Sequence, residues 1–458
     1  MTTSDIAEPS RETVRKASLA GFLGTAVEAY DFIVFTYIIV YLAPLFFPGD
    51  DPVTGVLNAL LVLGTGFLAR PIGGIVFGRI GDRRGRRFTL ILTITGMGAV
   101  TALMGALPTH ATVGTLAPVL LVLTRLLQGF FAGGEQIGSA TFVTEHASVQ
   151  NHGFLSAMTP MGFGLGTALA PGAVALTTLL TSEEAMAAWG WRIPLLLSIP
   201  LMAYTLYLRT RLEESPGFRK LADNHKVPTA PVRALLRGHA RNLIKVTALS
   251  VSVLAIGYIV PAYMPLFMQQ QVGMAAGITA GIATFASACS IAIGFGAGLL
   301  IDKSDRRVTM VIFLGVLAVI MFPIMYLIKA TGGNIVVTAL GQMLLIGFAG
   351  AAAVPVYATL TASFPAAVRY TGAAIGFGIG SALGGGLGPY LAGKFTEMTG
   401  NAYAAAGVVA VAAALGISVI MTMPGRRIAG DEERTDGSSA GETGRGDRKS
   451  DHAASEVA

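Results

Sequence analysis

Long apolar stretches alternate with short polar breaks along almost the whole chain. Between positions 19 and 424 they divide into runs of about 20 residues, the length that spans the hydrocarbon core of a bilayer as an α-helix. The runs predict six helices near 19–45, 55–78, 88–107, 116–144, 153–180 and 192–210, and six more near 243–268, 276–301, 308–328, 334–363, 371–393 and 402–424. The pattern therefore predicts an all-α membrane protein with twelve transmembrane helices.

The polar segments divide the chain into five parts: an N-terminal tail (1–18), a first group of six helices (19–210), a charged central loop (211–242), a second group of six (243–424) and a C-terminal tail (425–458). The last part is rich in Gly, Ser, Asp, Glu and Arg and has no apolar period, a composition typical of disorder. The first apolar run has no small-residue cleavage site, so we expect it to remain as a span rather than be removed as a signal peptide.

Composition and charge placement agree with a membrane domain. Charged residues make up 13% of the chain and hydrophobic residues 53%, whereas soluble domains have about 25% charged residues. Most of the 32 Lys and Arg residues fall in loops on the side that holds both termini, and cytoplasmic loops retain positive charge. We therefore expect both termini in the cytoplasm and the protein in the cell membrane. The net charge of +6 does not indicate nucleic-acid binding, which needs a basic face on a soluble fold.

A basic loop occurs twice along the chain. Residues Gly78–Arg87 read GRIGDRRGRR, and residues Gly298–Arg307 read GLLIDKSDRR. Each copy begins with a glycine at the end of an apolar run, has an acid four residues later and ends in basic residues. The repeat predicts two related halves.

Five charged residues lie well inside the predicted spans, away from their ends, and all are in the first half: Glu28, Asp31, Arg70, Arg125 and Glu135. Each costs about 2.5–3.5 kcal/mol at the centre of a bilayer, so each needs a partner or a function. At 1.5 Å rise per residue, Glu28, Arg70 and Glu135 share a depth near the midplane. One interpretation is that Arg70 pairs with Glu28 or Glu135 and only holds helices together.

A functional interpretation starts from the spacing of Arg125, Gln128, Ala132 and Glu135, which places them on one helical face that we expect to line a water-filled cavity. An arginine offers a planar fork suited to a carboxylate, so Arg125 is the predicted substrate anchor. Asp31 and Glu135 are the predicted proton carriers, supported by Glu28 and Arg70.

The second half offers polar but uncharged groups. Tyr258 and Tyr357 are predicted to hydrogen-bond a substrate, although tyrosines in spans also serve helix packing. Gly372, Gly376, Gly380 and Gly384 recur every four positions, a spacing that lets helices approach closely. The single Cys289 excludes an internal disulfide and a cysteine-based metal site. We expect neither cofactor nor metal, because the chain has no phosphate-binding loop ending in Lys-Ser/Thr.

These motifs together resemble the major facilitator superfamily, and more narrowly its metabolite:proton symporter family of proline/betaine, citrate, shikimate and 2-oxoglutarate carriers. The loop motif of that superfamily matches Gly78, Asp82, Arg83, Gly85 and Arg86. Narrower matches are VEAYDF at 27–32, RPIGG at 70–74, RLLQG at 125–129, GGE at 133–135, WRIP at 191–194, EESP at 213–216 and VRYTG at 368–372.

The resemblance implies two six-helix bundles that alternate access to a central site. It also implies a cytoplasmic gate formed by Gly78, Asp82, Arg83, Gly85, Arg86 and Glu145, with Asp302 and Arg306 in the second half. Asp305 stands where a glycine is expected, so the second gate is expected to be weaker.

The function expected from the resemblance is proton-coupled uptake of a small organic anion or zwitterion by a monomer. The fold also serves proton-driven export of metabolites or drugs, and a transporter-like membrane sensor is the alternative from another class. Enzymatic chemistry is disfavoured because no histidine lies within a predicted span. Carboxylates, betaines and amino acids all fit one arginine with polar neighbours, so the sequence does not name the substrate.

Overall fold

The computed structural model describes residues 10–49, 52–147 and 152–423, which are almost entirely helical. Within these ranges eleven helices are long and apolar enough to cross a membrane. We number the spanning segments α1 (Arg11–Phe46), α2 (Pro52–Arg84), α3 (Arg86–Gly105), α4 (Leu116–His146), α5 (His152–Leu180), α6 (Arg192–Thr210), α7 (Ala240–Val272), α8 (Ala276–Lys303), α9 (Arg306–Ala330), α10 (Ile335–Ala362), α11 (three consecutive pieces) and α12 (Ala404–Met421).

The segment α11 is the predicted span that does not form one long helix. It consists of Arg369–Gly380, a π-helical turn at Ser381–Gly386, and Gly388–Thr399. The glycines predicted to allow close packing do so: Gly376, Gly380 and Gly384 each leave no room for a Cβ against α7. The twelve predicted segments are therefore all helical, with one interrupted at a glycine-rich turn.

Several helix ends follow from local sequence. Ser10 caps α1 by accepting from the backbone N–H of Thr13 at 3.1 Å, and Asn334 caps α10 through its side-chain oxygen. Gly273 ends α7 in the left-handed conformation that glycine adopts without strain. The first helix begins at Arg11, earlier than the predicted start at position 19, because about two helical turns of mainly polar sequence precede the apolar run.

Large apolar side chains cover the outside of the molecule, as lipid contact requires. Leu61, Leu179, Val319 and Val411 are more than two-thirds exposed, whereas the interior combines large apolar side chains such as Trp191 with small residues and polar groups. The first half (α1–α6) meets the second half (α7–α12) mainly where α2 packs on α11 and where α5 packs on α8. Residues up to Met423 form one compact unit. The boundary between two six-helix bundles stays a prediction.

The charged central loop contains two short helices, Pro216–Asp223 and Pro231–Gly238. The second places Leu235, which is fully buried, against α2, α7 and α11. Parts of the loop therefore belong to the folded unit. The predicted disordered tail, 425–458, lies outside the described residues, as does most of the tail before α1.

Candidate functional site

Arg70 joins the two halves at the centre of the molecule. Its Nη2 lies 3.7 Å from Oε1 of Glu28 on α1, and its Nη1 donates to the Ser381 hydroxyl at 3.1 Å. The guanidinium also lies 4.5 Å from the Phe32 ring centroid and 5.2 Å from that of Phe67. Arg70 thus contacts α1 and, through Ser381, the π-helical turn of α11. Of the two partners that the sequence left open, the structure selects Glu28.

The other predicted partner, Glu135, binds Arg209, which stands at the very end of the predicted span 192–210 and was counted among the basic residues of the following loop. Arg209, at the end of α6, binds both carboxylate oxygens of Glu135 and donates to the carbonyl of Leu90 at 2.7 Å. Thr93 donates to the same carboxylate. Arg209 is 1% exposed, so assigning it to the solvated loop was wrong. Ser198, Thr205 and Arg209 are all buried at helical spacing, which is the signal that could have found it.

Arg125 and Gln128 lie inside the first half. Arg125 binds the Gln128 side chain and donates to the carbonyl of Phe32 at 3.0 Å. Its guanidinium stands 4.3 Å and 4.4 Å from the ring centroids of Phe32 and Phe35. Gln128 in turn donates to Thr101 Oγ1 at 2.8 Å and to the backbone carbonyl of Asp31. These contacts hold Arg125 in place through neutral acceptors and aromatic rings.

The Asp31 carboxylate faces the same interior. It is fully buried, and neither of its oxygens has a hydrogen-bond partner that meets ordinary geometry among the residues the structure describes. Thr101, Ser198 and Arg125 interact with it electrostatically, but Arg125 does not approach to salt-bridge distance. Burying a charged carboxylate without a partner is unfavourable, so this carboxyl is more stable in its protonated, neutral form.

A cavity lies between α5 and the helices of the second half. Its polar groups are Gln136 of α4, Tyr258 of α7, Tyr357 of α10, one threonine and three serines, and most of the rest of its wall is apolar. Arg70 and Glu28 interact electrostatically with both tyrosines. The structure thus brings the predicted residues Tyr258 and Tyr357 together beside the Arg70–Glu28 pair.

The predicted polar stripe on α4 does not line this cavity. Arg125, Gln128 and Glu135 are fully buried and are absent from the cavity wall. Their side chains point into the first half, where Thr93, Thr101 and Arg209 bind them. The next residue along, Gln136, takes the cavity-facing position. Spacing defines a shared face but not the neighbour it meets, so a water-filled cavity facing this stripe stays a prediction.

The loop between α2 and α3 closes the end of the molecule where the two basic loops lie, which we term the basic-loop side. The Asp82 carboxylate accepts from the backbone N–H groups of Tyr370 and Thr371, at 3.3 Å and 2.8 Å, and so caps the first piece of α11. Arg86 lies 3.1 Å from Asp82 and 3.4 Å from Glu145. Arg369 also pairs with Glu145 at 3.1 Å. Asp82 and Glu145 of the first half thus bind residues of the second half, and Arg86 does so through the Ala366 carbonyl at 2.8 Å.

The glycines of this motif have steric roles. Gly78 packs on the backbone of Thr371 so closely that a Cβ would not fit. Gly85 has φ +104°, a conformation that favours glycine, and the Glu214 carboxylate occupies the space beside it while accepting from the Arg86 N–H at 2.9 Å. Arg83 is exposed and forms no salt bridge within the described part of the chain.

The second loop makes the equivalent contact with the opposite half. Asp302 accepts from the backbone N–H groups of Gly153 and Phe154, at 2.6 Å and 3.1 Å, and so caps α5. Asp305, at the position where the motif expects glycine, has φ −72° and caps α9 by accepting from the Arg307 N–H at 2.8 Å. Arg306 is partly buried beside it. The incomplete motif therefore still caps a helix of the opposite half through Asp302.

Tyr370 also crosses between the halves, and sequence reasoning assigned it no role. Its ring from α11 lies against Gly81 and Gly138 of the first half, and its hydroxyl donates to the Gly134 carbonyl at 2.6 Å. A tyrosine that crosses between halves stabilises this closed arrangement through both packing and a hydrogen bond.

If the Asp82 and Asp302 caps both close the basic-loop side, loss of either cap should expose buried positions to reagents from that side. We expect Asp82→Asn and Asp302→Asn each to raise the labelling rate of a cysteine at position 157 by about 10-fold, since each loses charge-assisted hydrogen bonds worth about 1.5–3 kcal/mol. Ala157 is fully buried on α5 and faces Gly298 of α8. The measurement uses an impermeant maleimide added from the basic-loop side, in a Cys289→Ser background. If the labelling rate rises for Asp82→Asn but is unchanged for Asp302→Asn, only the loop that contains Asp82 controls access to position 157.

Comparison with known proteins agrees with this geometry. Residues 21–377 match the Major Facilitator Superfamily. The chain is 34% identical to the inner membrane metabolite transport protein YhjE of Escherichia coli K12, over 82% of this chain and 87% of that protein. It is 34% identical to the shikimate transporter of the same strain, over 86% and 90% of the two chains.

A second pair of similarities supports the same assignment. The chain is 31% identical to the proline/betaine transporter of Escherichia coli K12, over 90% of this chain and 83% of that protein. The solved structure of the proton:xylose symporter XylE has the same fold, with a TM-score of 0.74 at 16% identity over 91% of this chain and 97% of XylE. The fold, the two helix-capping loops and these relatives agree, and the chain belongs to the major facilitator superfamily as a membrane transporter and not an enzyme.

Proposed function

We propose that this transporter takes up a small organic anion or zwitterion together with protons, by alternating access from the outside to the cytoplasm. The observation that carries the proposal is the cavity wall where Tyr258, Tyr357 and Gln136 stand beside the buried Arg70–Glu28 pair. In that pair Arg70 Nε and Nη2 and both Glu28 oxygens lack ordinary hydrogen-bond partners within the described chain. Unsatisfied buried charges are favourable places for a charged ligand.

The proposed roles follow from burial and contact. The substrate carboxylate binds near Tyr258 and Tyr357 on the cavity wall and near Arg70, which lies behind these tyrosines and interacts with both. Arg125 and Gln128 lie behind this wall and act by positioning α1. Among the predicted proton carriers, Asp31 is the principal one because it has no salt-bridge partner within the described chain. Glu28 exchanges its contact with Arg70 when substrate arrives, and Glu135 remains paired.

The basic-loop side is proposed to be cytoplasmic, because the loops there carry most of the Lys and Arg residues. Two six-helix bundles then rock about the central site, with the Asp82 and Asp302 caps breaking as the cytoplasmic side opens. The names of the relatives, which include shikimate and proline/betaine transporters, support a carboxylate or zwitterion as the substrate class. The protein is proposed to act as a monomer.

Uptake into proteoliposomes tests this function. We expect labelled organic acids or amino acids to accumulate when the outside is acidic, and a protonophore to abolish the accumulation. Accumulation under the opposite gradient would instead establish proton-driven export. Binding without counterflow exchange would establish a sensor, because a transporter must exchange substrate across the membrane even without a gradient.

Arg70 provides a direct test of the anchor. We expect Arg70→Lys to weaken apparent substrate affinity by about 10- to 100-fold, since an ammonium cannot contact Glu28, Ser381 and a carboxylate with the geometry of a planar fork. The matched control is Arg192→Lys, whose arginine donates to the carbonyls of Gly105 and Leu107 and lies outside the cavity wall. Equal affinities for the two variants would contradict the assignment.

A further inference from the structure

Three hydroxyl groups on the cavity wall already donate hydrogen bonds within their own helices. Thr167 of α5, Ser250 of α7 and Ser290 of α8 all line the cavity. Each donates to a backbone carbonyl three or four residues earlier in its own helix: Thr167 to Gly164 (2.7 Å), Ser250 to Val246 (2.8 Å) and Ser290 to Ser287 (2.7 Å). A hydroxyl has one proton and two lone pairs, so each of these groups offers a ligand only an acceptor.

A fourth acceptor lies on α4. Gln136 lines the cavity and is 3% exposed. Its Oε1 has no hydrogen-bond partner of ordinary geometry among the described residues, although the Tyr357 hydroxyl interacts with this side chain. A buried acceptor left without a well-aligned donor is destabilising. A ligand that donates a hydrogen bond to this oxygen would remove that destabilisation.

The donors lie on a different part of the same wall. The Tyr258 hydroxyl is buried without an ordinary partner within the described chain, and Arg70 and Tyr357 stand near it. These groups suit the carboxylate of a ligand. The rest of the ligand then meets hydrogen-bond acceptors, on Thr167, Ser250, Ser290 and Gln136. These acceptors can bind N–H or O–H donors of the ligand.

We propose that the cavity selects carboxylates that also carry N–H or O–H donors, such as amino acids and hydroxy acids, over carboxylates whose nitrogen is fully methylated. This selectivity rests on the proposed function and specifies its substrate class. A quaternary ammonium has no proton to donate, so its binding would remove water from the four acceptors and leave them unpaired.

Aromatic rings on the wall could instead favour a fully methylated ligand, since ring faces attract quaternary ammonium groups. The rings here pack on one another instead. Tyr258 meets Phe163 edge to face at a centroid distance of 6.1 Å and Phe67 at 5.1 Å, and Tyr357 packs on Phe377 at 5.6 Å. Their mutual contacts occupy ring surface that a cation-binding cage would leave open.

Two matched pairs of probes test the selectivity on the full chain in lipid nanodiscs. L-Proline is compared with N,N-dimethyl-L-proline, which differs only in replacing both N–H groups with methyls. Shikimate is compared with cyclohex-1-ene-1-carboxylate, which lacks the three hydroxyls. By calorimetric titration at neutral pH, we expect at least one donor-bearing probe to bind about 10-fold or more tightly than its matched partner, as one or two satisfied hydrogen bonds imply.

Variants of the wall assign the effect to the hydroxyls. We expect Ser250→Ala and Ser290→Ala each to reduce the affinity ratio within the responding pair by about three-fold or more, and Ser290→Thr to retain it. The control is Ser418→Ala on α12, whose hydroxyl donates to the Ala414 carbonyl and lies outside the cavity wall. A ratio of two affinities is insensitive to a loss of folded protein.

Each outcome decides between the two proposals. If, in every pair that binds, the probe without donors binds as tightly as its donor-bearing partner, the donor requirement is overturned and carboxylate transport stands. If none of the four probes binds, the proposed carboxylate substrate is overturned as well. If both serine variants keep the wild-type ratio, these hydroxyls do not carry the selectivity.

Discussion

Asp31→Asn is expected to abolish substrate accumulation driven by a proton gradient. Asp31 is fully buried and has neither a salt-bridge partner nor an ordinary hydrogen-bond partner for its carboxylate within the described chain. A charge there is costly, so the carboxyl is stable when protonated and releases its proton only when the site opens to water. Asparagine fills the same volume but cannot carry the proton. We expect gradient-driven accumulation to fall by at least about 100-fold, in line with removal of an essential proton-transfer group.

Exchange distinguishes a coupling defect from a folding defect. Counterflow of labelled for unlabelled substrate needs no net proton release, so it should persist in Asp31→Asn. Asp223→Asn, at an exposed position in the short helix Pro216–Asp223, is the matched control and should behave as wild type in both assays. Unchanged proton-driven uptake by Asp31→Asn would eliminate Asp31 as the proton carrier, and loss of both activities would indicate damage to the site itself.

The largest loss of stability is expected from Arg209→Met. Arg209 and Glu135 form a salt bridge in which both side chains are nearly inaccessible to solvent. Removing one partner leaves an uncompensated buried charge, which costs about 3–5 kcal/mol. The double variant Glu135→Gln/Arg209→Met should regain most of that loss, because a buried ion pair can often be replaced by neutral residues of similar volume. Denaturant unfolding of purified protein in one detergent measures the difference.

Arg211→Met is the control for this pair. Arg211 lies two residues further along, is exposed and stands 4.7 Å above the Tyr207 ring, so its replacement should change the unfolding free energy by about 0.5 kcal/mol or less. Wild-type stability in Arg209→Met would contradict the structural role. If the double variant folds normally but loses proton-driven uptake, Glu135 carries a proton, as the sequence predicted.

Hydropathy predicted the helices well because membrane insertion depends on local length and apolar content. The predicted segments are helical in the structure, and the family assignment from the loop motifs was confirmed. The exception is α11, where the turn Ser381–Gly386 interrupts the helix. Its sequence, SALGGG, lies in an apolar run that hydropathy alone treats as continuous. The hydroxyl of Ser381 at this turn then becomes a partner of Arg70.

Sequence reasoning predicted less about which charges meet. The five mid-span residues were identified by their cost in a bilayer, and all five are buried. Their partners depended on helices far apart in the chain: Arg209 pairs with Glu135 across 74 positions. The end of α6 looked like the start of a basic loop because Arg209 and Arg211 both follow Tyr207. Only packing of α6 against α1 and α3 shows that one arginine is inside and the other outside.

The sequence by itself determined the apolar spans, the duplicated basic loop, and the residues whose charge inside a bilayer requires an explanation. These are properties of short segments, and the free energy of transfer into lipid acts on each segment separately. The tertiary structure decided that Arg70 contacts Glu28 and Ser381, that Arg125 and Glu135 point away from the cavity, and that Asp82 and Asp302 cap helices of the opposite half. Those pairings depend on how each helix is rotated against its neighbours, which close packing over many residues sets and no local pattern encodes.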